Sequence, residues 1–427
     1  MMKRRLFRPP KRKNRRRKFY PIFVVLLIFV SCFYGRFDIT NGFERNVEIA
    51  YATSSEEAES TEELEELLQE EIDKQIGNLD FSGIEDIISK LSTDAKNLFN
   101  SNSFVEKVSY VISGEYAENS ENFFSAVLSI FWQGLKDYLP IIGSIISISI
   151  LGGMISNLKP NTNGKSVGNI IHFVTYGVVI IFLGVSLVEI IKVTTTTLTS
   201  VKNMFDGIFP ILLTLLTAVG GTVSVGIYQP AIALLGNVFI SLITYILLPL
   251  FIFSMIFSIV GNLSNNIKLD KFVSFFQGTF KWTIGLCFTI FLGFVSIQGI
   301  MAGAVDGLSI RTAKYAIKSY IPVVGGYVSD GLSIIMASSM LIKNAVGGVG
   351  LFLLFSTIIS PVINLAIFIL SLKFMAGIIE PIGDKKTANF ISDISKSLSL
   401  LVALLVAVSF MYLVMTGLIM CSANLVI

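Results

Sequence analysis

Residues 346–379, VGGVGLFLLFSTIISPVINLAIFILSLKFMAGII, carry one charge, Lys373, and one proline, Pro361, placed near the centre. A single crossing of a bilayer takes about twenty apolar residues, so this run is long enough to span with a broken or tilted helix. Outward from it, further charge-poor runs lie at 139–155, 170–191, 208–225, 231–260, 282–301, 321–342 and 398–420. Hydrophobic residues make up 53% of the chain and charged residues 15%. With a mean hydropathy of +0.72, the composition excludes an ordinary soluble domain. The predicted fold class is all-α: a polytopic membrane helical bundle over 138–427 with about six to eight spans after the first apolar segment. The 208–225 run is short, and 231–260 is too long for one straight crossing and contains Pro249, which predicts broken or re-entrant segments there.

Residues 3–18 hold eleven Lys or Arg and no acid, followed by the short apolar stretch 19–30. That order is a basic n-region and h-region, so residues 1–34 read as a signal peptide or an uncleaved anchor with its N-terminus in the cytoplasm. Ala50-Tyr51-Ala52 has the small-x-small form of a cleavage site but lies far beyond the h-region, and Phe29 before Ser31-Cys32 argues against lipidation. The orientation function of KRKNRRRK displaces a nucleic-acid reading. The three cysteines, Cys32, Cys287 and Cys421, sit in or near apolar segments and support neither a disulfide framework nor a metal cluster.

Residues 35–137 form an acidic, helix-prone extracytoplasmic region, with EEAESTEELEELLQEEID at 56–73 and an apolar stripe of Leu64, Leu67, Leu68, Ile72, Ile76 and Leu79. A docking helix and a solvated arm both fit that stripe. The stretch 123–135, with Phe131 and Trp132, reads as an amphipathic segment along the membrane surface. Lys159 and Lys165 place the 156–169 loop in the cytoplasm. Beyond it charge bias gives no orientation, because the positively charged segments around Lys268, Lys271 and Lys281 and around Arg311, Lys314 and Lys318 flank the same span.

The polar strip 299–330, GIMAGAVDGLSIRTAKYAIKSYIPVVGGYVSD, interrupts this apolar landscape. Charges next to membrane segments are costly and mark conduits or partner contacts, which makes Gln298, Asp306, Arg311, Lys314, Asp330 and Asn344 the candidate residues. Headgroup anchoring by Arg311 and Lys314 is the competing reading. Gly299, Gly303 and Gly307 recur every fourth position and allow close helix approach. With Gly220, Gly221, Gly325 and Gly326 they are the candidate packing or hinge positions, and the echo between 210–221 and 322–348 is a weak sign of inverted repeats.

No catalytic motif is present. His172 is the only histidine, which excludes a two-histidine metal site and leaves no cofactor to expect. Gly164-Lys165-Ser166 lacks the earlier glycine of a phosphate loop.

The stretch 277–332, QGTFKWTIGLCFTIFLGFVSIQGIMAGAVDGLSIRTAKYAIKSYIPVVGGYVSDGL, with FPILLTLLTAVGGTVSVGIYQPA at 209–231, KNAVGGVGLF at 343–352 and EPIGD at 380–384, resembles the stage III sporulation protein AE family of endospore-forming bacteria. The resemblance implies a non-enzymatic multi-pass component of the channel or secretion-like complex joining mother cell and forespore. It implies a place in the mother-cell-derived membrane around the forespore and a need for the complex in late forespore gene expression. It also implies partners: ring-forming and other stage III sporulation membrane proteins, a secretion-type ATPase, a forespore-side channel protein, and the possibility of homo-oligomers. Two other readings fit the residues alone, an autonomous secondary transporter and a purely structural membrane scaffold.

Overall fold

The computed structural model describes residues 61–100, 103–114, 120–157, 164–263, 269–320, 325–383 and 385–422. Within these helices the side chains at 61–64, 120–122, 156–157, 164–169, 172, 263, 298–311, 313, 314, 318, 320 and 325 lie outside the description. The basic N-terminal segment, the apolar stretch 19–30 and the sequence motifs at 31–32 and 50–52 also lie outside the described residues.

Among the described residues every regular element is helical. Four short helices come first: α1 (Thr61–Asn78), α2 (Ser82–Ser89), α3 (Thr93–Phe99) and α4 (Phe104–Ile112). Then come α5 (Ser120–Asn157), α6 (Gly164–Ala218), α7 (Thr222–Ala233), α8 (Leu248–Leu263), α9 (Asp270–Tyr320), α10 (Gly325–Ile382) and α11 (Lys385–Cys421). Six helical stretches are long and apolar enough to cross a membrane, and the chain is an all-α polytopic membrane bundle.

Two pairs of expected spans fuse. The run at 170–191 and the first part of the run at 208–225, as far as Ala218, are one 55-residue helix that carries Pro210 inside it, and the rest of the second run crosses a break into α7. The described part of the run at 321–342, from Gly325 on, and the run at 346–379 are one 58-residue helix through Pro361. Proline removes one donor and crowds one carbonyl, and a helix in a bundle tolerates this where neighbouring helices and hydroxyl side chains compensate the freed backbone groups. Residues 123–135 likewise continue into α5 through Pro140 without a break, so that amphipathic stretch is collinear with the span that follows. The irregularity expected at 231–260 is present: two π-helical runs, Leu234–Phe239 and Ile243–Leu247, widen the helix between α7 and α8.

Serine and threonine are admitted to these apolar helices because their hydroxyls bond the carbonyl four residues back. Thr194, Thr195, Thr197 and Thr199 do so in α6, and Ser356 and Thr357 in α10.

The α10–α11 hairpin turns at Gly383 and is antiparallel: Lys343 meets Ser422, and Ser395 meets the Ile369 carbonyl. Beside it α6 runs antiparallel to α10, with Tyr176 against Phe390 at one end and Met204 against Thr357 further along. α5 runs parallel to α10, with the Tyr138 ring tilted against that of Phe368 at 4.9 Å. A Cβ on Gly153 would lie 2.5 Å from the Gly383 Cα, and the Tyr176 hydroxyl donates to the Ile259 carbonyl. The end of α5, the start of α6, the end of α8 and the α10–α11 turn therefore share one end of the bundle. At the other end α6, α10 and α11 close around Phe205, Phe209 and Tyr412, whose rings lie 4.7–5.4 Å apart. α1–α4 pack there too, on α10 and α6.

Candidate functional site

The polar strip lies largely on the second half of α9, a 51-residue helix. Gln298, Gly299, Gly303, Asp306, Gly307, Arg311 and Lys314 are on that helix, and their side chains lie outside the description. Asp330 and Asn344 are on α10, each with a buried carboxylate or amide oxygen, and Asn344 Oδ1 has no hydrogen-bond partner among the described residues. Gly325 and Gly326 form the first turn of α10, and Gly326 has open space where a Cβ would stand. Gly220 and Gly221 end α6. Gly220 has φ +93°, its N–H donates to the Thr217 carbonyl and that of Gly221 to the Leu216 carbonyl, both at 2.8 Å. This double bond pattern with a left-handed residue is a Schellman cap, which needs glycine at Gly220 and satisfies carbonyls that a helix end leaves open. The structure thus brings Asp330 and Asn344 onto one helix and leaves Gly220 and Gly221 at a separate junction.

Sequence reasoning passed over Lys343, which the structure makes the centre of the buried polar chemistry. Its side chain is 0% exposed, and its ammonium donates to the Ser422 carbonyl at the end of α11. A cation at a helix C-terminus meets the open carbonyls and the negative end of the dipole. The Ser422 and Tyr228 hydroxyls are 2.7 Å apart, so α7, α10 and α11 meet at one polar point. A lysine in a charge-poor apolar run, with Asn344 next to it, was the available signal.

A second set of polar contacts fastens α1–α4 to α10. Gln75 Nε2 donates to Ser338 Oγ at 3.0 Å, and Ser339 Oγ donates to Gln75 Oε1 at 2.7 Å. Ser360 Oγ donates to Asp94 Oδ2 at 2.8 Å. The Lys107 ammonium bonds the Phe99 carbonyl and lies 4.5 Å and 4.3 Å from the Phe99 and Phe352 ring centroids, a cation–π clamp between α3, α4 and α10. Burial pushes the Lys107 ammonium down to about 8. Glu85 Oε1 accepts from Ser103 Oγ and from the Phe104 and Val105 N–H groups at 3.0, 2.7 and 3.4 Å, capping α4 with a carboxylate held by α2. Of the stripe on α1, Leu68, Ile72 and Ile76 are buried and Leu67 is 47% exposed. The described part of the acidic region is therefore docked on this chain's own membrane bundle.

None of these groups forms a nucleophile–base pair, and the arrangement is suited to holding helices in register. The family-wide sequence model described as stage III sporulation protein AE matches residues 102–423. The stage III sporulation protein AE of Bacillus subtilis (strain 168) is 28% identical over 314 residues, covering 74% of this chain and 79% of that protein. No solved structure matches.

Proposed function

Because the chain belongs to the stage III sporulation protein AE family, a family of sporulation proteins, we propose that it is a non-enzymatic membrane platform of a channel or secretion-like complex between mother cell and forespore. In this reading it resides in the mother-cell-derived membrane around the forespore. α1–α4 face the intermembrane space, where ring-forming stage III subunits and a forespore-side channel protein assemble. The opposite end faces a secretion-type ATPase. The observation that carries the reading is the fastening of α1–α4 to α10 through Gln75, Asp94 and Lys107. Such a joint holds an extramembrane face at a fixed height and angle over the spans, which an assembly scaffold needs and a free-standing solute carrier does not. The orientation follows from Lys159 and Lys165 in the acid-free 156–169 connection, a bias that faces the cytoplasm.

The test is deletion of the gene in the native host, with complementation by the wild type and by Asp306→Ala and Arg311→Ala variants at matched protein levels. The expected outcome is small forespores that lose late transcription after engulfment. Failure of the point variants would put the polar strip on α9 in the mechanism. Normal forespores and normal spore yield in the deletion strain would overturn the reading.

A further inference from the structure

We infer that α7 is a hinged leaf, held closed by a three-residue clasp of Tyr228, Ser422 and Lys343, and that its swing is a conformational step of this protein. Three independent features bound it. On its N-terminal side α6 is fully terminated by the Schellman cap at Gly220, so Gly220 and Gly221 form a true break between helices. On its C-terminal side lie the two π-helical runs, separated only by Ile240–Leu242. A π turn carries one residue more than an α turn and can pass that slack along the helix, and such turns concentrate at functional sites. Between hinge and slack, Ser224, Tyr228 and Ala231 are buried, and the Tyr228 hydroxyl bonds the Ser422 hydroxyl, whose own backbone carbonyl takes the Lys343 ammonium.

Breaking the clasp removes the described hydrogen bonds that tie α7 to the α10–α11 hairpin, while the hairpin keeps its other contacts, among them Ser395 on the Ile369 carbonyl. α7 also packs on α9, the helix that bears Asp306, Arg311 and Lys314. The inference concerns an internal motion and stands apart from the sporulation role.

Hydrogen-exchange mass spectrometry on the full-length protein in detergent tests it, with Tyr228→Phe, Lys343→Met and, as control, Ser409→Ala. Ser409 is an equally buried hydroxyl on α11 that bonds only the Leu405 carbonyl among the contacts described for it. The expected result is exchange across 222–247 about fivefold faster in Tyr228→Phe, the equivalent of one lost hydrogen bond. Acceleration should be larger in Lys343→Met and absent in Ser409→Ala, with exchange around 365–400 unchanged in all three. Unchanged exchange at 222–247 in Tyr228→Phe would overturn the inference. So would acceleration spread evenly over α10 and α11, because the clasp would then stabilise the bundle as a whole. Should Lys343→Met yield no folded protein, the Tyr228→Phe result decides alone.

Discussion

Glycine acts in this bundle where two backbones touch, and the contact decides which glycines are replaceable. At Gly153 a Cβ would stand 2.5 Å from the Gly383 Cα, with no flexible side chain to yield, whereas at Gly143, ten residues earlier on the same helix, nothing lies within 4 Å. Gly153→Ala should therefore destabilise the protein by about 1–3 kcal/mol through overpacking. Gly143→Ala should be neutral or stabilising by up to about 1 kcal/mol through helix propensity. Thermal unfolding in detergent reads both, and equal midpoints would contradict the close approach. Lys107 supports a prediction of pH dependence. Burial holds its ammonium at about 8 against an ordinary 10.5, outweighing the attraction of the Phe99 and Phe352 rings. Between those values the unfolded chain binds the proton that the folded protein has released, so stability rises with pH across that window, and below it this group adds no pH dependence. Melting between pH 7.5 and 9.5 should show an upward component in the wild type that Lys107→Met lacks, and parallel profiles would count against it.

The helices α1–α4 are short, from 7 to 18 residues, and isolated helices of such length are marginal in water. Their order comes from α10: Leu68, Ile72 and Ile76 need its apolar cover, and Gln75 and Asp94 have their partners on it. Gln75→Leu with Asp94→Ala should raise hydrogen exchange throughout 61–112 by about tenfold or more, since together they remove the side-chain hydrogen bonds that Gln75 and Asp94 make to Ser338, Ser339 and Ser360 of α10. The spans of α5, α9 and α11 should hold their rates, and a uniform rise would show that α1–α4 do not undock as a unit. The apolar stripe on α1 was legible in the sequence because its spacing follows the helical period. Its docking surface was not, because Ser338, Ser339 and Ser360 read as ordinary hydroxyls inside an apolar run. The fusion of expected spans was hidden for a related reason. Pro210 and Pro361 are local break signals that side-by-side packing overrides, whereas Gly220-Gly221 is a real break whose evidence, a positive φ, only the backbone carries. Lys343 was visible as a charge in an apolar context, but its partner Ser422 lies 79 residues away.

At the scale of the molecule, helix length sets the membrane boundary. α6 and α10, at 55 and 58 residues, are about 80–90 Å long at 1.5 Å per residue. The hydrocarbon core is about 30 Å thick, so even a steep tilt leaves more than half of each helix outside it. The half that leaves must be the one on which α1–α4 sit, since α1 exposes Glu65, Glu66, Glu70 and Asp73, which lipid would not accept. The exposed large apolar side chains described on α6 agree: Ile170, Phe173, Val174, Ile181, Phe182, Val185 and Val188 lie in its first half, and Val193 lies just past the midpoint. Lipid is therefore expected around that half of α6 and the second half of α10, and 325–357, whose Tyr327, Val328, Leu332 and Ile335 are exposed, is expected above the bilayer. Single cysteines in a background without the native three test this in right-side-out and inside-out membrane vesicles with an impermeant maleimide. Glu66→Cys and Tyr327→Cys, the latter at a position 74% exposed, should label in right-side-out vesicles. Lys386→Cys should label only in inside-out vesicles, and Val185→Cys and Phe374→Cys in neither. Labelling of Phe374→Cys together with protection of Tyr327→Cys would move the bilayer to the other half of α10. That result would force α1–α4 into lipid, so it would refute the docked arrangement as well as the orientation.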